Sequence, residues 1–123
     1  MNMKKILICD DSALIRKKFT DSISQKSDIT IIEAVNGEDC LNKYKEFTPD
    51  LVIMDIVMPV KSGLEALIDI KLINPQAKVI IASSTGTQEH LKKSIEAGAI
   101  DFIQKPINED HILKIIHIVE ESE

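Results

Sequence analysis

Five polar residues stand out because each follows a short apolar run in the sequence. Asp10 and Asp11 follow the first such run, Asp55 a later one, and Ser83 and Lys105 the last two. If the fold brings them together, three carboxylates would repel one another unless a cation neutralised them. Carboxylate and carbonyl oxygens are ligands that suit Mg²⁺. These residue types therefore predict a magnesium site that also holds a hydroxyl and an ammonium group.

The apolar runs have the length and composition of buried β-strands. They cover residues 6–9, 29–32, 51–54, 79–82 and 100–103. The last is interrupted by Asp101, but Gly98 and Pro106 mark its ends. Runs that are apolar throughout indicate strands buried on both faces, which is typical of a parallel sheet covered by helices.

Helical patterns fill the intervals between the predicted strands. They follow Ser12, Asn36-Gly37 and Ser62-Gly63, and two more begin at the predicted caps Thr87 and Asn108. Five strands thus alternate with five helices, and right-handed crossovers favour a doubly wound α/β sandwich. The carboxyl ends of parallel strands share one edge of the sheet, so the polar residues are expected to meet there.

Length and composition limit the classes of function. A chain of 123 residues has room for one domain, expected to span residues 1–123, and excludes a second catalytic or DNA-binding domain. The formal net charge is −5 and aromatic residues make up 3%, so no direct binding to nucleic acid is expected.

The two cysteines and the amino terminus bear on location. Cys9 and Cys40 form neither a disulfide framework nor a zinc-ligand spacing, which favours a reducing compartment. The first apolar run has only four residues, too short for a signal sequence or a membrane span. We therefore expect a cytoplasmic protein without membrane insertion.

Four stretches together resemble the receiver domain of two-component response regulators, and chemotaxis-type stand-alone regulators most of all. They are Ile6-Leu7-Ile8-Cys9-Asp10-Asp11-Ser12, Met54-Asp55-Ile56-Val57-Met58-Pro59 with Gly63, Ala82-Ser83-Ser84, and Ala97-Gly98-Ala99 through Phe102 to Lys105-Pro106. The resemblance implies a flavodoxin-like sheet with strand order 2-1-3-4-5.

The resemblance also implies the role of each site residue. Asp55 would accept a phosphoryl group from a sensor histidine kinase or a phosphotransfer protein. Magnesium would be held by Asp10, Asp11, Asp55 and the backbone carbonyl of Val57. The phosphoryl oxygens would be bound by Lys105, by the Ser83 hydroxyl and by the Ser84 backbone.

In the same family, phosphorylation acts as a conformational switch. Ser83 would move towards the phosphoryl group and Phe102 would rotate inward, which changes the surface of the fourth helix, fifth strand and fifth helix, where a protein target binds. Val57 and Thr85 occupy positions that tune loss of the phosphoryl group. An apolar Val57 cannot position a hydrolytic water, so the phosphorylated state is not expected to be among the shortest-lived.

Other functions are less consistent with the sequence. An aspartate-nucleophile phosphatase needs a second aspartate two residues after the nucleophile, where this chain has Val57. A flavin binder needs a hydroxyl-rich phosphate loop after the first strand, where Asp10-Asp11 would repel the ligand. A phosphorelay intermediate, or an amino-terminal receiver cut from a longer regulator, remains an alternative within the family.

Overall fold

The computed structural model describes residues 4–84 and 87–121, in which five strands alternate with five helices. The elements are β1 (Lys5–Cys9), α1 (Ala13–Ser24), β2 (Thr30–Ala34), α2 (Gly37–Phe47), β3 (Leu51–Met54), α3 (Gly63–Ile73), β4 (Val79–Ser83), α4 (Gln88–Glu96), β5 (Asp101–Gln104) and α5 (Glu109–Glu120). All strand pairs are parallel and the sheet order is β2-β1-β3-β4-β5. The predicted doubly wound fold and its strand order are confirmed.

Side chains of the central strands alternate between two apolar layers, because successive residues of a strand point to opposite faces. In β1, Leu7 and Cys9 face one cluster, which also contains residues of α2 and α3. Ile6 and Ile8 face the other, which contains residues of α1 and α5. The central strands are therefore buried on both faces, and their polar residues project from the sheet edge at the strand ends.

The two outer strands differ from the prediction. β2 runs over Thr30–Ala34 rather than 29–32, and only Ala34 is buried within it. β5 begins at Asp101, leaving Ile100 outside the strand and half-exposed. Both lie at the edges of the sheet, where one side has no neighbouring strand, so an apolar run does not become fully buried there.

Each helix is preceded by a cap whose side-chain oxygen accepts a hydrogen bond from the backbone amide three residues later. The caps are Ser12, Asn36, Ser62, Thr87 and Asn108. Those predicted at Thr87 and Asn108 are confirmed. Because a cap fixes the first turn of its helix, three of them also fix the loops that leave β1, β3 and β5 at the acidic edge.

The cysteines are paired, so the expectation that they form no disulfide is wrong. Cys40 of α2 lies directly against Cys9 of β1, the two side chains are joined, and their Cα atoms are 5.9 Å apart. The two cysteines are 31 residues apart in the sequence, and they meet because α2 packs against β1. Within the described residues, no helix has the length and apolar character needed to cross a bilayer.

Candidate functional site

Three carboxylates meet at the carboxyl end of the sheet. Asp10 and Asp11 leave β1, Asp55 leaves the neighbouring β3, and one oxygen from each lies within 4.8 Å of the others. The pairing of Cys9 with Met54 across β1 and β3 places the next residues of both strands side by side. The arrangement follows directly from the parallel register.

The backbone around Asp55 is tightly held. Its amide donates to the carbonyl of Cys9 over 2.9 Å, which extends the sheet by one bond beyond β3. On the other side, Gly63 donates its amide to the carbonyl of Ile56 over 2.9 Å. A Cβ atom at Gly63 would lie 1.9 Å from the Asp55 carbonyl oxygen, so this close approach requires glycine.

Asp10 is almost completely buried, and both of its carboxylate oxygens have partners. One accepts a hydrogen bond from the Ser12 amide over 2.9 Å, and the other contacts the ammonium of Lys105. The same ammonium lies 3.4 Å from an oxygen of Asp55. Lys105 thus bridges the two strand ends, and its side chain is only 10% exposed. Removing one partner from such a buried ion pair costs about 3–5 kcal/mol.

Arg16 supports the acidic loop and was missed by the sequence analysis. Its guanidinium donates to the backbone carbonyl of Asp10 over 2.7 Å and to the carboxylate of Glu33 over 2.9 Å. The bond to Asp10 orients the backbone from which Asp10 and Asp11 project. A basic residue in the first turns of the helix after Ser12 was the available signal, but that spacing alone does not distinguish it from a solvated arginine.

Asp11 faces the open side of the site. It is exposed, and no hydrogen bond or ion pair to its carboxylate occurs in the described part of the chain. A cavity of about 370 Å³ opens at this point, lined by Asp10, Asp11, Ser12, Ile15, Asp55, Ser84, Lys105 and Pro106. Three ionised carboxylates and one ammonium sum to a charge of −2. An all-oxygen donor set with this charge and an open face fits Mg²⁺ with several retained waters.

The remaining predicted residues have different positions relative to this cavity. Ser84 lines it, whereas Ser83 is the last residue of β4 and is buried. Val57 lies beside the acidic cluster, its amide 3.4 Å from an oxygen of Asp55 and its side chain largely exposed. Phe102 of β5 is partly buried against the cluster shared with α2 and α3. Thr85 lies outside the described residues. The roles assigned to all of these residues stay predictions.

Comparison with known proteins agrees with this geometry. Residues 6–117 match the family described as the response regulator receiver domain. The chain is 43% identical over 113 residues to the chemotaxis protein CheY of Bacillus subtilis, covering 92% of this chain and 94% of that protein.

Two solved structures have the same fold. A CheY-like receiver domain protein from Methanospirillum hungatei superposes with a TM-score of 0.90 at 27% identity, covering 98% of this chain and 96% of that one. CheY in the CheX–CheY–BeF₃–Mg²⁺ complex from Borrelia burgdorferi has a TM-score of 0.85 at 32% identity, covering 95% and 89%. The family match and the CheY relatives are of the receiver type of signalling domain. The acidic edge, the strand order and the family match together show that this chain belongs to the receiver domain family of two-component response regulators.

Proposed function

We propose that this protein is a phosphorylation-dependent switch that accepts a phosphoryl group on Asp55 from a sensor histidine kinase or a phosphotransfer protein. The observation that carries the proposal is the meeting of three carboxylates within 4.8 Å, two of them contacted by one ammonium. A structural aspartate at a strand end would need neither companion carboxylates nor a shared cation. We propose that residues 1–123 act as one receiver domain.

Asp55 is suited to be the nucleophile. A carboxylate oxygen has no proton to lose, so it can attack phosphorus without a general base. A carboxylate oxygen forms the new P–O bond while the P–N bond of the donor phosphohistidine breaks, and that bond's electron pair remains on the imidazole nitrogen. Asp55 is part-exposed beside the open cavity, whereas Asp10 is buried and paired on both oxygens, which favours Asp55 as the acceptor.

A divalent cation would be held by the carboxylates of Asp10, Asp11 and Asp55 and by the backbone carbonyl of Val57. When bound, magnesium offsets the negative charge of the donor phosphoryl group as it approaches the carboxylates. The summed formal charge of the site's three carboxylates and one ammonium is −2, which supports a divalent cation. The CheX–CheY complex of Borrelia burgdorferi contains BeF₃ and Mg²⁺, which supports the same assignment for this chain.

Lys105 would exchange one partner for another during the reaction. In the structure its ammonium contacts Asp10 and lies near Asp55. A phosphoryl group on Asp55 would offer it a more highly charged acceptor, so we propose that Lys105 binds a phosphoryl oxygen. The Ser83 hydroxyl and the Ser84 amide would donate to the others, and Val57 and Thr85 would tune how fast water removes the group.

The signal would leave through the surface formed by α4, β5 and α5. Movement of Ser83 towards the phosphoryl group and inward rotation of Phe102 would shift the population between two packings of this surface. Four large apolar side chains are already exposed there or beside it: Leu91, Ile95, Ile100 and Leu113. Exposed apolar groups of this kind suit a protein target rather than nucleic acid.

The resemblance to CheY proteins supports a role in chemotaxis, and the CheX–CheY complex of Borrelia burgdorferi supports a protein partner. A phosphorelay intermediate is the alternative, and it would return the phosphoryl group to a histidine of a phosphotransfer domain. We place either reaction in the cytoplasm, since the proposed donor kinases draw on ATP.

The test is intact mass after incubation with acetyl phosphate and Mg²⁺. The parent chain should gain one phosphoryl group, and EDTA or Asp55→Asn should abolish the gain. Asp28→Asn is the matched control, because Asp28 is an exposed aspartate away from the cavity, and it should be labelled like the parent. Labelling that survives Asp55→Asn would contradict the assigned acceptor.

A further inference from the structure

The Cys9–Cys40 pair lies next to the acidic edge but takes no part in the proposed phosphoryl transfer. Cys9 is the last residue of β1, directly before Asp10, and Cys40 is the fourth residue of α2. Their relative exposures are 1% and 0%. The carbonyl of Cys9 also accepts a hydrogen bond from the amide of Asp55. Cys9 therefore connects the backbone of Asp10, which follows it in the chain, to that of Asp55.

Cross-linking these residues requires no movement of the backbone. The Cα atoms are 5.9 Å apart, at the separation most common for disulfides. Both side chains belong to the same apolar cluster, to which α2 also contributes Leu41 and Tyr44. The reduced chain can therefore hold the two thiols in the same place as the oxidised chain.

We propose that Cys9 and Cys40 form a reversible oxidation site whose disulfide fastens α2 to β1 and stabilises the folded chain. The oxidant is a small-molecule disulfide such as oxidised glutathione. One cysteine thiolate attacks it, forming a mixed disulfide and releasing one thiol. The second cysteine thiolate then attacks the protein sulfur, which forms the Cys9–Cys40 bond and releases the second thiol. The protein loses two electrons and two protons, and the small disulfide is reduced to two thiols.

Opening of α2 gives the oxidant its route to the buried pair. Cys9 belongs to a strand that is hydrogen-bonded on both sides, to β2 and to β3. Cys40 belongs to an outer helix that can separate from the sheet without breaking it, so Cys40 reacts first. In a reducing compartment the pair is a dithiol, and exposure to oxidant converts it to the cross-linked form. Reduction takes the same route: when α2 opens, a small thiol attacks the Cys40 sulfur and Cys9 leaves as a thiolate.

The cross-link should favour the folded state strongly. It closes a loop across a sequence separation of 31 residues, and this restricts the unfolded chain far more than the folded one. Loop-closure estimates for disulfides of this span correspond to an increase of roughly 30- to 1,000-fold in the folding equilibrium constant.

The test compares the reduced chain with the chain incubated under native conditions with oxidised glutathione. We expect intact mass to fall by two hydrogen atoms, with a Cys9–Cys40 peptide in a non-reducing digest. We also expect a higher urea midpoint and slower hydrogen exchange in α2. Three results would each overturn the proposal. The treated chain could keep two free thiols, it could retain a glutathione adduct, or it could form the cross-link without a higher urea midpoint.

Cys40→Ala provides the matched control. It cannot form the cross-link, so glutathione should leave its urea midpoint unchanged. It keeps every group of the acidic site, and its labelling by acetyl phosphate should equal that of the reduced parent. A midpoint in Cys40→Ala that rises with oxidant as much as in the parent would show that the stabilisation does not come from this bond. The mass change on oxidation, the urea midpoint and the hydrogen exchange do not depend on Asp55, so failure of the proposed phosphorylation would leave these three readouts interpretable.

Discussion

Replacing Asp11 with asparagine should make the metal-free protein more stable. The Asp11 carboxylate lies within 4.8 Å of two other carboxylates, and one ammonium serves the cluster. At 4.8 Å, two unit charges interact by about 0.9 kcal/mol in water and about 3.5 kcal/mol at an effective dielectric constant of 20. If the Lys105 ammonium is counted against one of the two repulsions, about one repulsive pair remains uncompensated at Asp11.

One favourable interaction is lost in the same substitution. Asp11 precedes the cap of α1, where a negative charge near the helix amino terminus contributes about 0.3–1 kcal/mol. The central values of the two ranges differ by about 1.5 kcal/mol, which is the expected gain in the free energy of unfolding without metal. Saturating Mg²⁺ should reverse the order, because at 100 times its dissociation constant a ligand stabilises the parent by about 2.7 kcal/mol.

Urea unfolding in EDTA and in Mg²⁺, followed by circular dichroism, measures both effects. Asp28→Asn is the control and should change the free energy of unfolding by less than about 0.5 kcal/mol in either buffer. The electrostatic reasoning is wrong if Asp11→Asn unfolds in EDTA at the same or a lower urea concentration than the parent. It is also wrong if Mg²⁺ stabilises the variant as much as the parent.

Three further substitutions test separate parts of the structure. Gly63→Ala should lower the free energy of unfolding by about 1–3 kcal/mol in urea titrations, because its Cβ would lie 1.9 Å from the Asp55 carbonyl oxygen. Val57→Asn should shorten the half-life of the phosphorylated protein, measured by mass after the donor is removed, since an amide can position water where the exposed valine cannot. Lys26 lowers the pKa of Glu109 through a hydrogen bond of 2.8 Å. The pair therefore stabilises the fold above pH 4.5, the ordinary pKa of glutamate, and this contribution is lost as the pH falls through the lowered pKa of Glu109 in the folded protein. Glu109→Gln should therefore be less stable than the parent at neutral pH and equal to it in acid, as measured by urea unfolding at both.

Each of these has a result that contradicts it. A Gly63→Ala chain as stable as the parent would mean that the loop after β3 can move away from α3. An equal or longer half-life for Val57→Asn would remove Val57 from the tuning positions. A stability deficit of Glu109→Gln that persists in acid would assign the effect to helix packing rather than to the ion pair.

Local patterns in the sequence were enough to predict the order of the elements, the helix caps and the strand-end positions of the polar residues. Asp10 and Asp55 could be placed because each directly follows a buried strand, and parallel strands end at one edge. Caps such as Thr87 and Asn108 depend on bonds to an amide three residues away, which sequence spacing records directly. The strand order came from the resemblance to a family rather than from the residues.

Tertiary structure alone decided the contacts between distant residues. The sequence predicted that Lys105 and Asp10 share a sheet edge, but not that they form an ion pair across 95 positions. Cys40 meets Cys9 across 31 positions because α2 packs on β1. The sequence predicted no disulfide, because neither the number nor the spacing of the two cysteines shows that both side chains lie in the same apolar layer. The partial exposure of β2 likewise depends on its position at the edge of the sheet, and an apolar run in the sequence does not show whether its strand is central or at an edge. Such contacts follow from how strands and helices are arranged in space, and that arrangement is a property of the whole chain.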